Sequence, residues 1–140
     1  MGKEQPYQDI FQGRYDSIPD GFPMIAHETP IRPVQLYGCS KVWGETLARH
    51  FTDTSDLSIL CLRIGAVLSA DRPSPQRHEP VWCSQRDIAR LVQACVNTPQ
   101  DLKFDIFYAV SNNKWSYRDM CHAREILGYQ RLDSVEPFAK

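Results

Sequence analysis

The sequence predicts an α/β fold, part of a doubly wound parallel sheet with helices packed on it. Three observations carry this expectation. Leu57–Leu68 (LSILCLRIGAVL) is apolar at nearly every position, as in a strand buried on both faces. Phe104–Val110 (FDIFYAV) reads as a second strand, followed by a turn at Ser111-Asn112-Asn113. Between them Ser84–Val96 has helical periodicity behind a capping signature. Strand, helix, strand is the order of a right-handed βαβ unit. Two parallel strands leave long apolar edges unpaired, so another chain, a second copy or a further segment is expected to complete the sheet.

Taken in order, residues 1–34 form an irregular N-terminal segment and residues 35–140 the α/β part. Pro6, Gly13, Pro19, Gly21, Pro23, Pro30 and Pro33 break every period before Gln35, leaving at most a short extended piece at Phe22–Ala26. From Gln35 to Phe51 the pattern is helical, with Leu36, Trp43, Leu47 and Phe51 on one side. A second stripe gathers Tyr37, Lys41, Gly44 and Ala48 within about 40° of arc. It offers a phenol and an ammonium one turn apart, then two small residues that permit close packing. Ala70–Pro80 is a loop. Ser84 is the expected N-cap of the next helix, with Asp87 three residues on, and Ile88, Leu91, Val92, Cys95 and Val96 form its apolar face. That helix stops before Pro99. Ser116 and Asp119 repeat the signature for a last helix that buries Met120, Ala123 and Leu127 and ends at Gly128.

Composition narrows the function classes. Hydrophobic residues at 42% and charged residues at 24% describe a globular chain and not a disordered one. No apolar run approaches the roughly 20 residues that span a bilayer, and Met1–Ile10 lacks a signal-peptide core, so a cytoplasmic protein without a membrane partner is expected. A net charge of −1 argues against nucleic acid as a partner. The seven glycines, at 2, 13, 21, 38, 44, 65 and 128, are too scattered for a phosphate-cradling loop, which needs glycines two to five apart in roughly that spacing. The five cysteines include no Cys-x-x-Cys pair and read as reduced thiols, and the four histidines share no ligand spacing, so no metal site is expected.

The chemistry concentrates at Tyr37-Gly38-Cys39-Ser40-Lys41, a Tyr-x-x-x-Lys motif opening a helix. An ordinary tyrosine ionises near pH ~10, and a neighbouring ammonium favours the phenolate, which brings the group toward neutral-pH acid/base work. The alternative is a surface tyrosine whose ring covers a lysine stem. Arg32–Glu45 (RPVQLYGCSKVWGE) resembles the active-site helix of the extended short-chain dehydrogenase/reductases, the NAD-dependent epimerase/dehydratase family. Leu62-Arg63-Ile64-Gly65 is similar to that family's next strand and turn, and Ser84–Val96 to the following helix. Ala123–Tyr129 (AREILGY) and Ser134–Phe138 (SVEPF) are similar to its closing helix and terminus, nearest to uronate dehydrogenase-like members that oxidise free sugar acids. The resemblance covers about residues 22 to 140 in four ordered blocks.

The resemblance implies a Rossmann-type sheet binding NAD or NADP and a sugar-like substrate, either a sugar acid or a nucleotide sugar. It implies Tyr37 as the acid/base, and Lys41 as the ribose-binding residue that lowers the tyrosine pKa. Ile64, Gly65, Ala66 and Val67 would line the nicotinamide and substrate, with Ala66 where sugar-acid members often carry a hydroxyl. A loop arginine, Arg72 or Arg77, would hold a substrate carboxylate. The family helix often forms a dimer interface, which implies a homo-oligomer.

The family's Gly-rich turn, acidic ribose-binding residue and first strands lie upstream of its tyrosine, whereas 36 residues precede Tyr37 here. The family's catalytic Ser/Thr has only Ser17 and Thr29 as candidates, neither after a strand-like run. The chain is therefore expected to be the C-terminal part of such an oxidoreductase, with the N-terminal Gly-rich βαβ half absent. It is expected to be inactive alone and not to bind the dinucleotide alone. The alternative is a non-catalytic remnant acting as a binding or oligomerisation module.

Overall fold

The computed structural model describes residues 4–73 and 76–138, with Gln76 and Arg77 described by backbone alone. In chain order the elements are α1 (Tyr7–Phe11), α2 (Leu36–Thr54), β1 (Ile59–Ile64), α3 (Gln85–Val96), β2 (Phe104–Ala109) and α4 (Cys121–Leu127). Short 3-10 turns lie at Tyr15–Ser17, Gln76–Val81 and Glu136–Phe138. β1 and β2 pair in parallel, from Ile59 opposite Phe104 to Ile64 opposite Ala109, and α3 is the crossover between them. This is the expected βαβ unit. Ile25, Cys83, Leu91, Phe107, Ala109, Val110 and Ala123 centre the core, which β2 shares with α3 and α4.

The local signals at α3 and α4 hold in part. Ser84 Oγ accepts the Asp87 N–H at 2.9 Å, as an N-cap should. Gly128 ends α4 in the left-handed region at φ 63, where a residue without Cβ is unstrained. Ser116 is not the cap of α4. Met120 occupies that position without a side-chain bond, and Asp119 instead accepts the Cys121 N–H at 2.8 Å.

Three expectations about burial are corrected. β1 is half-buried and not covered on both faces: Ile59–Arg63 are all of intermediate exposure, and Ile64 is 54% exposed. The first stripe of α2 is open: Leu36 is 88% exposed, Trp43 67%, and Phe51 is exposed as well. On α3 only Leu91 of the apolar face is fully buried, and Val96 is 77% exposed. Apolar residues placed at core-facing periodicity yet left in solvent mark a surface that suits a partner.

The N-terminal segment is more ordered than its prolines and glycines suggest. Ile10 is fully buried, and Ile25 bridges Arg118 as an isolated parallel pair. Tyr15 stacks on Trp115 with ring centroids 4.7 Å apart, and its hydroxyl donates to Glu79 at 2.9 Å. Burial, reinforced by that carboxylate, raises the Tyr15 pKa.

Asp87 exceeds its expected capping role. Fully buried, its carboxylate accepts the Ser111 hydroxyl at 2.6 Å, the Leu132 N–H at 2.9 Å and the Asp133 N–H at 3.2 Å. One acidic side chain thereby ties α3 to the end of β2 and to the C-terminal segment. Asp87→Ala leaves three donors without this acceptor and should cost about 3 kcal/mol, read as a lowered midpoint in urea unfolding. Cys83, beside it, has its thiol pushed up to about 12, first by burial and then by the Asp87 charge.

Asp133 is held below the usual carboxylate range, first by Arg86 and then by the Ser84 hydroxyl, despite the opposing effect of desolvation. A lowered folded-state pKa stabilises above the unfolded value, and the benefit fades as pH falls through the folded value. Stability should therefore drop below about pH 4, with a shallower slope in Asp133→Asn, as thermal midpoints across pH would read.

Candidate active site

The groove between α2 and the C-terminal end of β1 has a volume of about 660 Å³. Its walls include Tyr37, Gly38 and Lys41 from α2, and Arg63, Ile64 and Gly65 from β1 and its exit. The helical i, i+4 spacing places Tyr37 and Lys41 on the same side, with the Lys41 ammonium 5.0 Å from the Tyr37 ring centroid. Tyr37 is 72% exposed, so its phenol is open to a ligand entering the groove. Ser40 donates its hydroxyl to the Tyr37 carbonyl at 2.7 Å and so stays within the helix backbone.

Ile64 and Gly65 join this wall, whereas Ala66 and Val67 do not line it. The backbone explains the divergence. Ala66 N–H donates to the Val81 carbonyl at 2.7 Å, and its own carbonyl accepts the Cys83 N–H at 3.0 Å, so the chain turns toward the lead-in to α3. Gly65 makes that turn possible. A Cβ there would lie 2.0 Å from the Val81 carbonyl oxygen and 2.9 Å from Val110 Cγ1.

Gly44 and Ala48 were expected to permit close packing. A Cβ added at Gly44 would meet nothing within 4 Å among the described residues, and Gly44 is exposed. Thr29 lines the groove, although its hydroxyl already accepts the Ala26 N–H at 3.0 Å. Ser17 lies in the first 3-10 turn, donating to the Arg14 carbonyl at 2.9 Å, and is not part of the groove. Arg72 also lies elsewhere, with its guanidinium 5.9 Å from the Phe138 ring centroid. The side chain of Arg77 falls outside the described residues.

A polar assembly on the groove wall was not anticipated. Arg63 makes a two-point ion pair with Glu45, Nε to Oε1 at 2.8 Å and Nη2 to Oε2 at 2.9 Å. Its Nη1 donates to the Tyr108 hydroxyl at 3.0 Å and to the His27 carbonyl at 3.2 Å. The bond to Glu45 raises the Arg63 pKa against the opposing effect of burial. The pair locks β1 to α2 one turn beyond Lys41. Its signal in the sequence is an arginine inside an otherwise apolar strand, a charge that burial forces to find a partner.

Arg118 adds a further cation, its guanidinium 4.8 Å from the Tyr108 ring centroid. The groove wall carries Arg32, Lys41, Arg63 and Arg118; Arg63 is paired with Glu45 and Arg32 with Glu4 at 2.6 Å, which leaves Lys41 and Arg118 without a carboxylate partner among the described residues. An excess of positive charge around an open concavity favours an anionic ligand.

No protein-family model matches the chain. It is 36% identical over 108 residues to an NAD-dependent glucose-6-phosphate dehydrogenase of Haloferax volcanii, covering 76% of this chain and 40% of the relative. It is 34% identical over 114 residues to a uronate dehydrogenase of Pseudomonas syringae pv. tomato, covering 81% of this chain and 40% of that protein. The crystal structure of uronate dehydrogenase from Agrobacterium tumefaciens superposes with a TM-score of 0.76 at 30% identity, over 83% of this chain and 42% of that one. The chain spans about two fifths of the length of the curated relatives it matches. Among the described residues no helix is long and apolar enough to cross a membrane.

Proposed function

We propose, for a chain that belongs to the extended short-chain dehydrogenase/reductase family and corresponds to the C-terminal part of its uronate dehydrogenase-type members, that it supplies the acid/base half of an NAD(P)-dependent sugar oxidoreductase. The observation that carries this reading is the convergence of Tyr37, Lys41, Ile64 and Gly65 on one cation-rich groove.

Tyr37 is the acid/base, taking the proton from a substrate hydroxyl during oxidation and returning it during reduction. Lys41 would hold the nicotinamide ribose through its ammonium, and Ile64 and Gly65 would line the nicotinamide. A bound nicotinamide dinucleotide supplies the hydride acceptor. The donor set on the groove fits the ribose and substrate end of such a molecule. The scattered glycines of these 140 residues provide no phosphate-cradling loop. A complete dinucleotide site would therefore need residues beyond these 140, which alone would be inactive.

The substrate class we favour is an anionic sugar, because Lys41 and Arg118 on the groove wall have no carboxylate partner among the described residues. A uronate fits that charge, and an uncharged sugar of the same size does not exploit it. The five cysteines are free, which accords with a cytoplasmic setting.

A second reading rests on the exposed apolar residues of α2 and α3. Leu36, Trp43, Val92 and Val96 face solvent at positions whose periodicity suits a core. The chain then associates with a second copy or a complementing chain, with or without catalysis. Sedimentation at micromolar concentration should show self-association; a stable monomer would count against that interface in the isolated chain.

The activity test joins this chain to the N-terminal part of a uronate dehydrogenase, in one polypeptide or by mixing. The reading expects NAD(P)-dependent oxidation of a uronate, well above that of a neutral sugar and absent from either part alone. A folded, dinucleotide-binding complex that oxidises no anionic sugar would refute it.

A further inference from the structure

Outside the groove, three chain segments bring His27, Asp105 and His122 together. One ligand atom from each lies within 4.8 Å of the others. His27 comes from the segment before α2, Asp105 from β2 and His122 from the first turn of α4. His122 Nε2 is 2.7 Å from Asp105 Oδ1, and the two imidazoles stack with centroids 3.7 Å apart. Asp105 is oriented in turn, because its Oδ1 accepts the Ile106 N–H at 2.7 Å. All three side chains are mostly buried, with His27 24% exposed, His122 21% and Asp105 14%.

The hydrogen bond to Asp105 accounts for His122 but leaves the second imidazole without a purpose. His27 Nδ1 is buried with no hydrogen-bond partner among the described residues, whereas buried polar atoms are ordinarily satisfied. The exposed Glu28 carboxylate lies 3.9 Å from the other nitrogen, Nε2, beyond hydrogen-bonding distance.

We propose that His27, Asp105 and His122 form a binding site for a divalent transition metal of the zinc class, which clamps the segment before α2 to β2 and α4. Two imidazoles and one carboxylate are a borderline donor set suited to zinc, cobalt or nickel, whereas magnesium and calcium take oxygen shells. Ligand atoms at ~2.1 Å from a tetrahedral zinc ion lie about 3.4 Å from one another. The stacked rings are only 14° from parallel, so their in-plane lone pairs do not converge, and metal binding requires one imidazole to turn out of the stack as the His122–Asp105 pair separates. Partial exposure leaves room for water as a fourth ligand. Sequence spacing hides the site, because its members come from three elements distant in the chain.

The test titrates zinc into the purified, metal-stripped chain against a chromophoric chelator and repeats the titration for Asp105→Asn, His122→Gln and His27→Gln. The site expects one zinc per chain and at least a tenfold weaker affinity in each variant that retains its circular dichroism. Asp105→Asn keeps the shape of the side chain and decides the matter should a histidine variant fail to fold. Cobalt substitution excludes the rival ligands, since Cys39 and Cys121 are exposed and Cys121 adjoins His122. A cobalt spectrum without thiolate charge-transfer bands is expected. Absence of stoichiometric zinc, an affinity unchanged by Asp105→Asn, or strong thiolate bands would each overturn the proposal.

Discussion

Tyr37→Phe, introduced into a complex completed by the N-terminal half, should lower kcat about 10²–10⁴-fold while leaving NAD(P) affinity within a few-fold of the parent. The substitution removes one oxygen from an exposed ring on the groove wall. The ring still covers the same part of α2, so helix and groove shape are retained. What disappears is the only atom of that side chain able to exchange a proton with a substrate hydroxyl. Steady-state kinetics and cofactor titration separate the two effects, because loss of an acid/base group falls on kcat whereas damage to the groove raises the dissociation constant too. Turnover retained at the parent level would remove Tyr37 from the chemistry.

Gly65→Ala should destabilise the chain by about 3 kcal/mol, lowering the thermal midpoint by roughly 10 °C. The added Cβ would lie 2.0 Å from the Val81 carbonyl oxygen, backbone that cannot rotate away. That oxygen accepts the Ala66 N–H at 2.7 Å, so relieving the clash breaks the bridge that turns the chain into α3. Val110 Cγ1 blocks another direction at 2.9 Å. Gly44→Ala is the contrast: with nothing within 4 Å of its Cβ, and alanine the better helix former, it should stabilise the isolated chain by a few tenths of a kcal/mol to about 1 kcal/mol. Differential scanning calorimetry of both variants checks the pair. Equal midpoints would contradict the close approach at Gly65.

The sequence revealed those elements whose causes are local. Ser84 caps α3 because its hydroxyl needs only a backbone N–H three residues on, and Gly128 ends α4 because only φ matters there. Interactions between distant segments left weaker traces. The stacking of Tyr15 on Trp115 and the burial of Ile10 have no periodicity to announce them, so a segment punctuated by prolines and glycines conceals ordered packing. Ser116 and Asp119 carry the residue types of a cap but lie too early for α4. The half-exposed β1 shows the complementary limit: an apolar run announces a strand, yet periodicity does not say which neighbours cover it.

At the groove, Tyr37 and Lys41 were legible because four-residue spacing fixes their relation within one helix. Arg63, Glu45 and Tyr108 come from three elements, and only folding reveals that they meet. Ala66 and Val67 follow Gly65 in sequence but not along the groove, because the backbone turns between them.

We propose that these 140 residues carry the acid/base wall of a dinucleotide site whose phosphate-binding part lies beyond them. Calorimetric titration of NAD into the chain alone, and into the chain joined to the N-terminal part of a uronate dehydrogenase, tests it most directly. No micromolar binding is expected from these 140 residues alone, and micromolar binding from the joined protein, lost in part on Lys41→Ala. Micromolar NAD binding by the isolated monomer would contradict it.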